Sequence, residues 1–524
     1  MLAAVRSCIV VALLAAAVAC STNPVTGEKE LVLTSEASEI QIGQQNFAPS
    51  RQSQGGAYVL LPEFTSYVNE VGQKLAAVSD RQLPYEFAVL NSSVPNAWAL
   101  PGGKIAVNRG LLTTLENEAE LAAVLGHEIV HAAARHGVKA QERSTFFDVG
   151  MVAAQIGLAT SDSNSQLGDL GLMAAGLGAQ AFMMKYGREA ELESDEHGMK
   201  YMDKAGYDPS AAVTLQQKFL ALSRGKGSAS QNWLEGLFAS HPPSAERVER
   251  NRAHLAVFGT GGDLGVSRYK ARLAPLMAIK PAYDKADDAL AAATKKEFGR
   301  AKALASEAVQ RLPREASFYQ LQGDIAMAEQ QPQRALPHYE KSIQLNPNYF
   351  GPHLGGGLAL YKLGDKQRAE QWLARSADML PTAPAMYYRG MIAKERGDTE
   401  RAWQFFKQAT DTRGELGQRA KLEFTLLDLS RNPDNYVAAE LKLDQRGHVV
   451  VAVRNRSMVA LSSITVTPMR TDAVVGAVEA RSIRVLRVLR PGERAVLDAG
   501  IGVVPPQVLK EQFRVRVDGA RAAR

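Results

Sequence analysis

Past the midpoint of the chain three residue types recur at a single period, and a period of 34 leaves few folds open. Ala301, Ala335, Ala369 and Ala402 are spaced by 34, 34 and 33; Pro313, Pro347 and Pro381 by 34 and 34; and Gly323, Gly357 and Gly390 by 34 and 33. A repeat of this length holds one pair of antiparallel helices, which cannot bury its apolar face alone and therefore stacks on its neighbours. Small residues fit where two helices cross closely, Tyr339, Leu373 and Phe406 fill the space between them, and a proline ends each second helix. The units run from near Pro281 to Ser430 and make an α-solenoid, whose concave face suits an extended peptide or a partner protein.

A second pattern carries chemistry. His127-Glu128-Ile129-Val130-His131 follows Glu118 to Gly126, a run of good helix formers without proline. On that helix the two imidazoles lie one turn apart, so both can reach a metal at about 2.0 to 2.1 Å, with Glu128 one residue round. One zinc per chain held there would make a water molecule acidic, and the carboxylate would take its proton and pass it to a leaving amine. The pattern therefore points to peptide hydrolysis. A catalytic zinc takes a third protein ligand. Glu191 is the candidate, in a second helical stretch, Arg188 to Asp195, where Glu191 and Asp195 are four apart and share a face. Asp195 is then expected to accept a hydrogen bond from a ligand histidine and fix its tautomer, while Glu189 and Glu193 point elsewhere, into solvent.

The stretch from Pro95 to Gly137 resembles the HtpX/BepA type of zinc metallopeptidase, a group that includes the CAAX prenyl proteases. The residues that carry the resemblance are Asn96 to Leu112 (Asn-Ala-Trp-Ala-Leu-Pro-Gly-Gly-Lys-Ile-Ala-Val-Asn-Arg-Gly-Leu-Leu), Asn117 to His131, Arg135-His136-Gly137, Ser240-His241-Pro242-Pro243-Ser244 and Glu246-Arg247. The resemblance implies a mainly helical zincin domain in which Glu191 and Asp195 are the family's Glu-x-x-x-Asp pair. It implies two roles for His241, closing the open zinc position at rest or stabilising the oxyanion, and its chemistry permits both. It also implies a substrate edge made by Asn96 and the strand Lys104 to Val107, with Ile105 and Val107, where a peptide adds as an extra strand, and Arg247 among the substrate-binding residues. The 34-residue units are likewise those of tetratricopeptide repeats, and in BepA-like enzymes such an array sits beside the protease to recruit clients or outer-membrane assembly machinery.

Arg6, the apolar run Ile9 to Ala19 and Cys20 read as a secretory signal over residues 1–19, too short to span a bilayer comfortably. Ala17-Val18-Ala19-Cys20 resembles a bacterial lipobox, with alanine at the first position where leucine is usual. Cleavage before Cys20 makes it the lipidated head of an anchored segment, residues 20–35, and several acyl chains hold stably. Ser21 in place of Asp implies, by family habit, the inner leaflet of the outer membrane, facing the periplasm of a Gram-negative bacterium. The two cysteines are Cys8 and Cys20, so stability must come from buried area, for which 524 residues at 46% hydrophobic content suffice. Between the two motif helices, Thr160 to Asp169 reads as a mobile loop and Leu170 to Tyr186 as a buried helix.

From Tyr436 the pattern changes to alternating runs, Val449 to Val453, Ser463 to Thr467, Ile483 to Leu489 and Phe513 to Val517, separated by turn residues. These predict a small antiparallel sandwich of immunoglobulin-like type. Residues 436–524 hold 15 Lys and Arg against 8 Asp and Glu, so the chain's net +6 lies here. The arginines alternate with valines, as on the solvated face of a half-buried sheet, and beside a membrane such a face can meet anionic lipid. Outside the cytoplasm nucleic acid is not among the partners. The expectation is an α+β multidomain chain: a metallopeptidase over 36–265, repeats over 281–430 and a basic β-sandwich over 436–524. It would hydrolyse misfolded or stalled envelope proteins, the alternative being a chaperone or assembly scaffold with a latent protease.

Overall fold

A computed structural model describes residues 20–145, 186–224, 235–412, 414–472, 476–479 and 481–523. The signal segment, the loop 160–169 and the apolar run up to residue 185 lie outside the described residues. The chain divides into two units at Pro381/Thr382.

The first unit opens with a hairpin, β1 (Cys20–Thr22) and β2 (Lys29–Leu31), followed by α1 (Glu36–Ser53) and α2 (Pro62–Ala76). A three-stranded sheet comes next: β3 (Glu86–Leu90), β4 (Ala97–Leu100) and β5 (Lys104–Asn108), in the order β3-β5-β4, with β3 parallel and β4 antiparallel to β5. Helices α3 (Arg109–Leu112), α4 (Glu118–Ala133), α5 (His136–Thr145), α6 (Arg188–Lys204), α7 (Ser210–Arg224), α8 (Glu235–Ser240) and α9 (Ala245–Phe258) complete the portion that carries the two motif helices.

Helix α4 is buried along its whole length. Asn117 caps it, its Oδ1 accepting from the Glu120 amide at 2.8 Å, and Glu118 and Glu120 favour the positive end of the dipole. Its partner α6 crosses it at glycine: a Cβ on Gly198 would lie 3.1 Å from the His127 amide nitrogen, and one on Gly126 3.1 Å from the Gly198 carbonyl oxygen. Gly198 is seven residues, two turns, beyond Glu191, so this close approach lets the α6 carboxylate reach the α4 imidazoles. Gly198→Val is expected to force the helices apart, lowering stability by about 1–3 kcal/mol in thermal unfolding and weakening metal retention.

Helices α10 (Val266–Thr294), α11 (Phe298–Arg311), α12 (Ala316–Ala328), α13 (Pro332–Leu345), α14 (Phe350–Lys362) and α15 (Lys366–Met379) follow in the first unit; α16 (Ala383–Glu395), α17 (Thr399–Ala409) and α18 (Glu415–Asp428) lie in the second. Ala301, Ala335, Ala369 and Ala402 have no solvent exposure. Within each hairpin a glycine faces the filling side chain: a Cβ on Gly323 would meet Tyr339 at 2.7 Å, one on Gly357 Leu373 at 2.8 Å and one on Gly390 Phe406 at 2.7 Å. The boundary expected between 265 and 281 is not a break. Helix α10 runs unbroken through Pro275 and Pro281, its first turns tied to the preceding helices through Tyr269 Oη, which donates to the Leu112 carbonyl at 2.7 Å.

The second unit also holds two antiparallel sheets. One contains β8 (Leu461–Asp472), β9 (Gly476–Glu479), β10 (Ile483–Arg484) and β12 (Phe513–Ala522); the other β6 (Val437–Leu443), β7 (His448–Asn455) and β11 (Arg494–Val503). Val449, Val451, Val453, Ile464 and Val466 are fully buried, and Arg514 and Arg516 alternate outward on β12. Two details depart from expectation. The run Ile483 to Leu489 pairs as a strand at its first two residues and again only as a single bridge from Leu489 to Leu461, and a helix, α19 (Pro506–Gln512), precedes β12. Among the described residues no helix is long and apolar enough to cross a membrane.

Candidate metal centre

His127 and His131 project from α4, Glu191 from α6, and His241 from the turn after α8, all four buried and with ligand atoms within 4.8 Å of one another. The two Nε2 atoms are 3.0 Å apart, and each is 3.4 Å from a Glu191 oxygen. His241 Nδ1 lies 3.3 Å from His127 Nε2 and 3.1 Å from Glu191 Oε1. Donors bound tetrahedrally at about 2.0–2.1 Å stand about 3.3 Å from one another, so this set fits zinc. Glu128 sits beside it without joining it. Its Oε1 is 3.4 Å from His241 Nε2, and its buried Oε2 has no hydrogen-bond partner among the described residues. Burial pushes the Glu128 carboxyl above its usual range, as suits a group that must take up a proton.

The ligands are held from behind. Asp195 accepts from His127 Nδ1 at 2.9 Å, which leaves Nε2 for the metal. Burial pushes the Asp195 carboxyl up, but Arg247 and His127 more than reverse this and hold it below its usual range. His131 Nδ1 meets His136 Nδ1 at 2.9 Å, and His136 Nε2 lies 3.5 Å from Glu193. His136 reaches back because the chain reverses at Arg135, whose φ of 61° lies in the left-handed region. The fully buried Glu39 of α1 holds that arginine through a 2.8 Å ion pair.

Three expectations are corrected. Strand β5, with Ile105 and Val107, is central: β3 and β4 pair with it on either side, and both side chains are buried. The sheet has two edges: β3 carries a single bridge from Leu90 to Ala57, and β4, introduced by Asn96, carries none among the described residues. The Asn96 carbonyl accepts from the Asn108 amide at 2.8 Å, so Ala97 and Ala99, in alternation, turn their backbone groups outward. Arg247 does not face that edge. Its guanidinium is buried and bound to Asp195 by two hydrogen bonds of 2.7 Å and to Glu191 at 2.9 Å, so it positions the ligands. Glu193 is half-buried rather than solvated, since Asn23 Nδ2 donates to it at 3.1 Å beside its contact with His136. Glu189 is exposed, and Cys20 opens β1 opposite Leu31.

Sequence reading placed His136 in a matching stretch without a role, and gave Tyr186 none either. His136 carried a signal, a histidine just past the end of the motif helix. Tyr186 carried none: its ring stacks on His131 at 3.8 Å and 19°, and its hydroxyl donates to the outward Ala99 carbonyl at 3.2 Å.

The family model "Peptidase family M48" matches residues 62–254, and a tetratricopeptide repeat model matches 326–389. The mitochondrial metalloendopeptidase OMA1 of Schizosaccharomyces pombe is 34% identical over 196 residues, 36% of this chain and 54% of that protein. The beta-barrel assembly-enhancing protease of Escherichia coli is 29% identical over 231 residues, 42% of this chain and 46% of its own length. The chain thus spans about half the length of these two relatives. Metalloprotease YcaL of Escherichia coli is 30% identical over 203 residues, 37% of this chain and 74% of its own length. With the motif helices matched, the ligand set assembled and a relative covered over most of its length, the chain belongs to peptidase family M48.

Proposed function

We propose that the chain is a zinc metalloendopeptidase that cleaves misfolded or stalled envelope proteins, anchored through lipid on Cys20 at the periplasmic face of the outer membrane. The observation that carries the catalytic part is the buried cluster of His127, His131, Glu191 and His241, with ligand atoms within 4.8 Å of one another and the Glu128 Oε2, without a partner among the described residues, beside it. Zinc, when bound, supplies a Lewis acid that polarises the scissile carbonyl and acidifies water.

The protein's own groups do the rest. An extended substrate lies antiparallel along β4 and pairs with the outward groups of Ala97 and Ala99, so the Tyr186 hydroxyl must give up the Ala99 carbonyl. Such pairing reads backbone, which suits unfolded clients. Glu128 takes a proton from the attacking water at Oε2 and returns it to the leaving amine. Asp195 and His136 keep the two imidazoles in the tautomer that presents Nε2. The tetratricopeptide hairpins would recruit clients or assembly machinery; the name of the beta-barrel assembly-enhancing relative supports an envelope role.

His241 stands among the metal donors, which favours a resting ligand that must leave before substrate enters. His241→Ala is then expected to cleave faster than wild type, measured as kcat/KM on an unfolded outer-membrane protein or casein with the purified full chain. Zinc retention without cleavage in either protein would instead favour the scaffold reading.

A further inference from the structure

Beside the reacting centre a second feature is built into the fold. A cavity of about 50 Å³ opens against His127 and Glu128, walled by Val124 of α4, Met199 and Met202 of α6, and Phe219 of α7. A single water needs about 10–15 Å³, so there is room for several heavy atoms. Two amide side chains also line it, Asn251 of α9 and Gln216 of α7. Asn251 is 1% exposed, and neither its Oδ1 nor its Nδ2 has a hydrogen-bond partner among the described residues; Gln216 Oε1 is likewise unpartnered. Buried amides are ordinarily satisfied, so a donor and an acceptor left open together in an apolar pocket mark a place that a ligand completes.

The chemistry of the wall narrows the ligand. Asp195 and Arg247 are bound to each other at 2.7 Å, so an acidic side chain entering the pocket would be buried without a counter-ion, and a basic one would have only Glu128 to pair with, whose Oε2 the attacking water needs. A purely aliphatic one would fill the space and leave Asn251 unsatisfied. A carboxamide on an apolar stem meets both demands, because two amides exchange N–H···O bonds in both directions. We infer that this cavity is a specificity pocket for a substrate residue flanking the scissile bond, that it selects glutamine or asparagine, and that Asn251 reads the amide. The inference rests on the peptidase reading above and adds side-chain selection to backbone pairing along β4.

The test is a cleavage-site profile: the full chain, purified in detergent with zinc, digests a mixture of denatured proteins, and mass spectrometry counts the residues on either side of each cut. Wild type is expected to enrich glutamine and asparagine at one flanking position. In Asn251→Leu that enrichment falls about tenfold or more and shifts toward leucine and methionine. Should Asn251→Leu misfold, Gln216→Leu is profiled instead, with the amide preference again reduced. Cleavage with no amide preference at either flanking position, or with an unchanged profile in a folded variant, overturns the inference. Absence of any wild-type cleavage counts against the peptidase reading, and the pocket is then decided by binding. Fluorescence anisotropy with Glu128→Gln should give at least about tenfold tighter binding for a glutamine peptide than for its leucine analogue. Equal binding overturns the pocket.

Discussion

Glu128→Gln is expected to lower kcat/KM on an unfolded protein by about 10²–10⁴-fold while zinc content stays at that of wild type. Glu128 stands outside the donor set, facing His241 through Oε1 and leaving Oε2 without a partner among the described residues. Glutamine keeps the shape and much of the hydrogen bonding but cannot accept a proton, so the effect falls on the rate and not on the fold or the metal. Activity within a few-fold of wild type would mean that another group moves the proton. Loss of zinc together with activity would mean that Glu128 supports the ligands.

Arg247→Met should produce the largest loss of stability, about 3–5 kcal/mol in denaturant unfolding. Asp195 and Glu191 are both buried, and the guanidinium answers both. Methionine fills the volume and leaves the carboxylates uncompensated. Asp195 would then hold His127 less firmly, and zinc affinity is expected to fall by about 10–100-fold. Combining the change with Asp195→Leu should recover part of the lost stability, because the uncompensated charge goes as well. If the double variant is as unstable as the sum of the single ones, packing and not charge is what Arg247 supplies. The pH dependence has a definite sign. Asp195 and Glu191 are held below their usual carboxylate values, so their contribution is present above about pH 4 and is lost as pH falls through the folded values. The gap between wild type and Arg247→Met should therefore narrow on acidification.

What could be read from the sequence divides along physical lines. Periodicity in a single helix puts His127 and His131 together, and the spacing of Glu191 and Asp195 puts a ligand and its support on one face of α6; both are local facts. The 34-residue period fixes which glycine meets which large residue inside a hairpin, because that contact is internal to the repeat. Long-range placement is another matter. A short apolar run such as Lys104 to Val107 does not say whether its strand is central or at the edge, since burial on both faces is compatible with either, and only the pairing of β3 and β4 decides it. Arg247 was legible as a site residue, but as one that binds substrate and not as a support of the ligands, because its role depends on α9 meeting α6. Tyr186 reaches His131 and Ala99 across the fold, and no local pattern records that. The cavity beside Glu128 draws its walls from six helices and is equally invisible in one dimension.

The central claim, that these residues hold a catalytic zinc, is tested most directly by stripping the purified chain with a chelator and restoring zinc in steps while metal content and cleavage are followed together. One zinc per chain should restore cleavage in proportion to occupancy in wild type, and the same occupancy should restore none in Glu128→Gln. Cleavage that survives complete removal of the metal, or a chain that takes up no zinc, would contradict it.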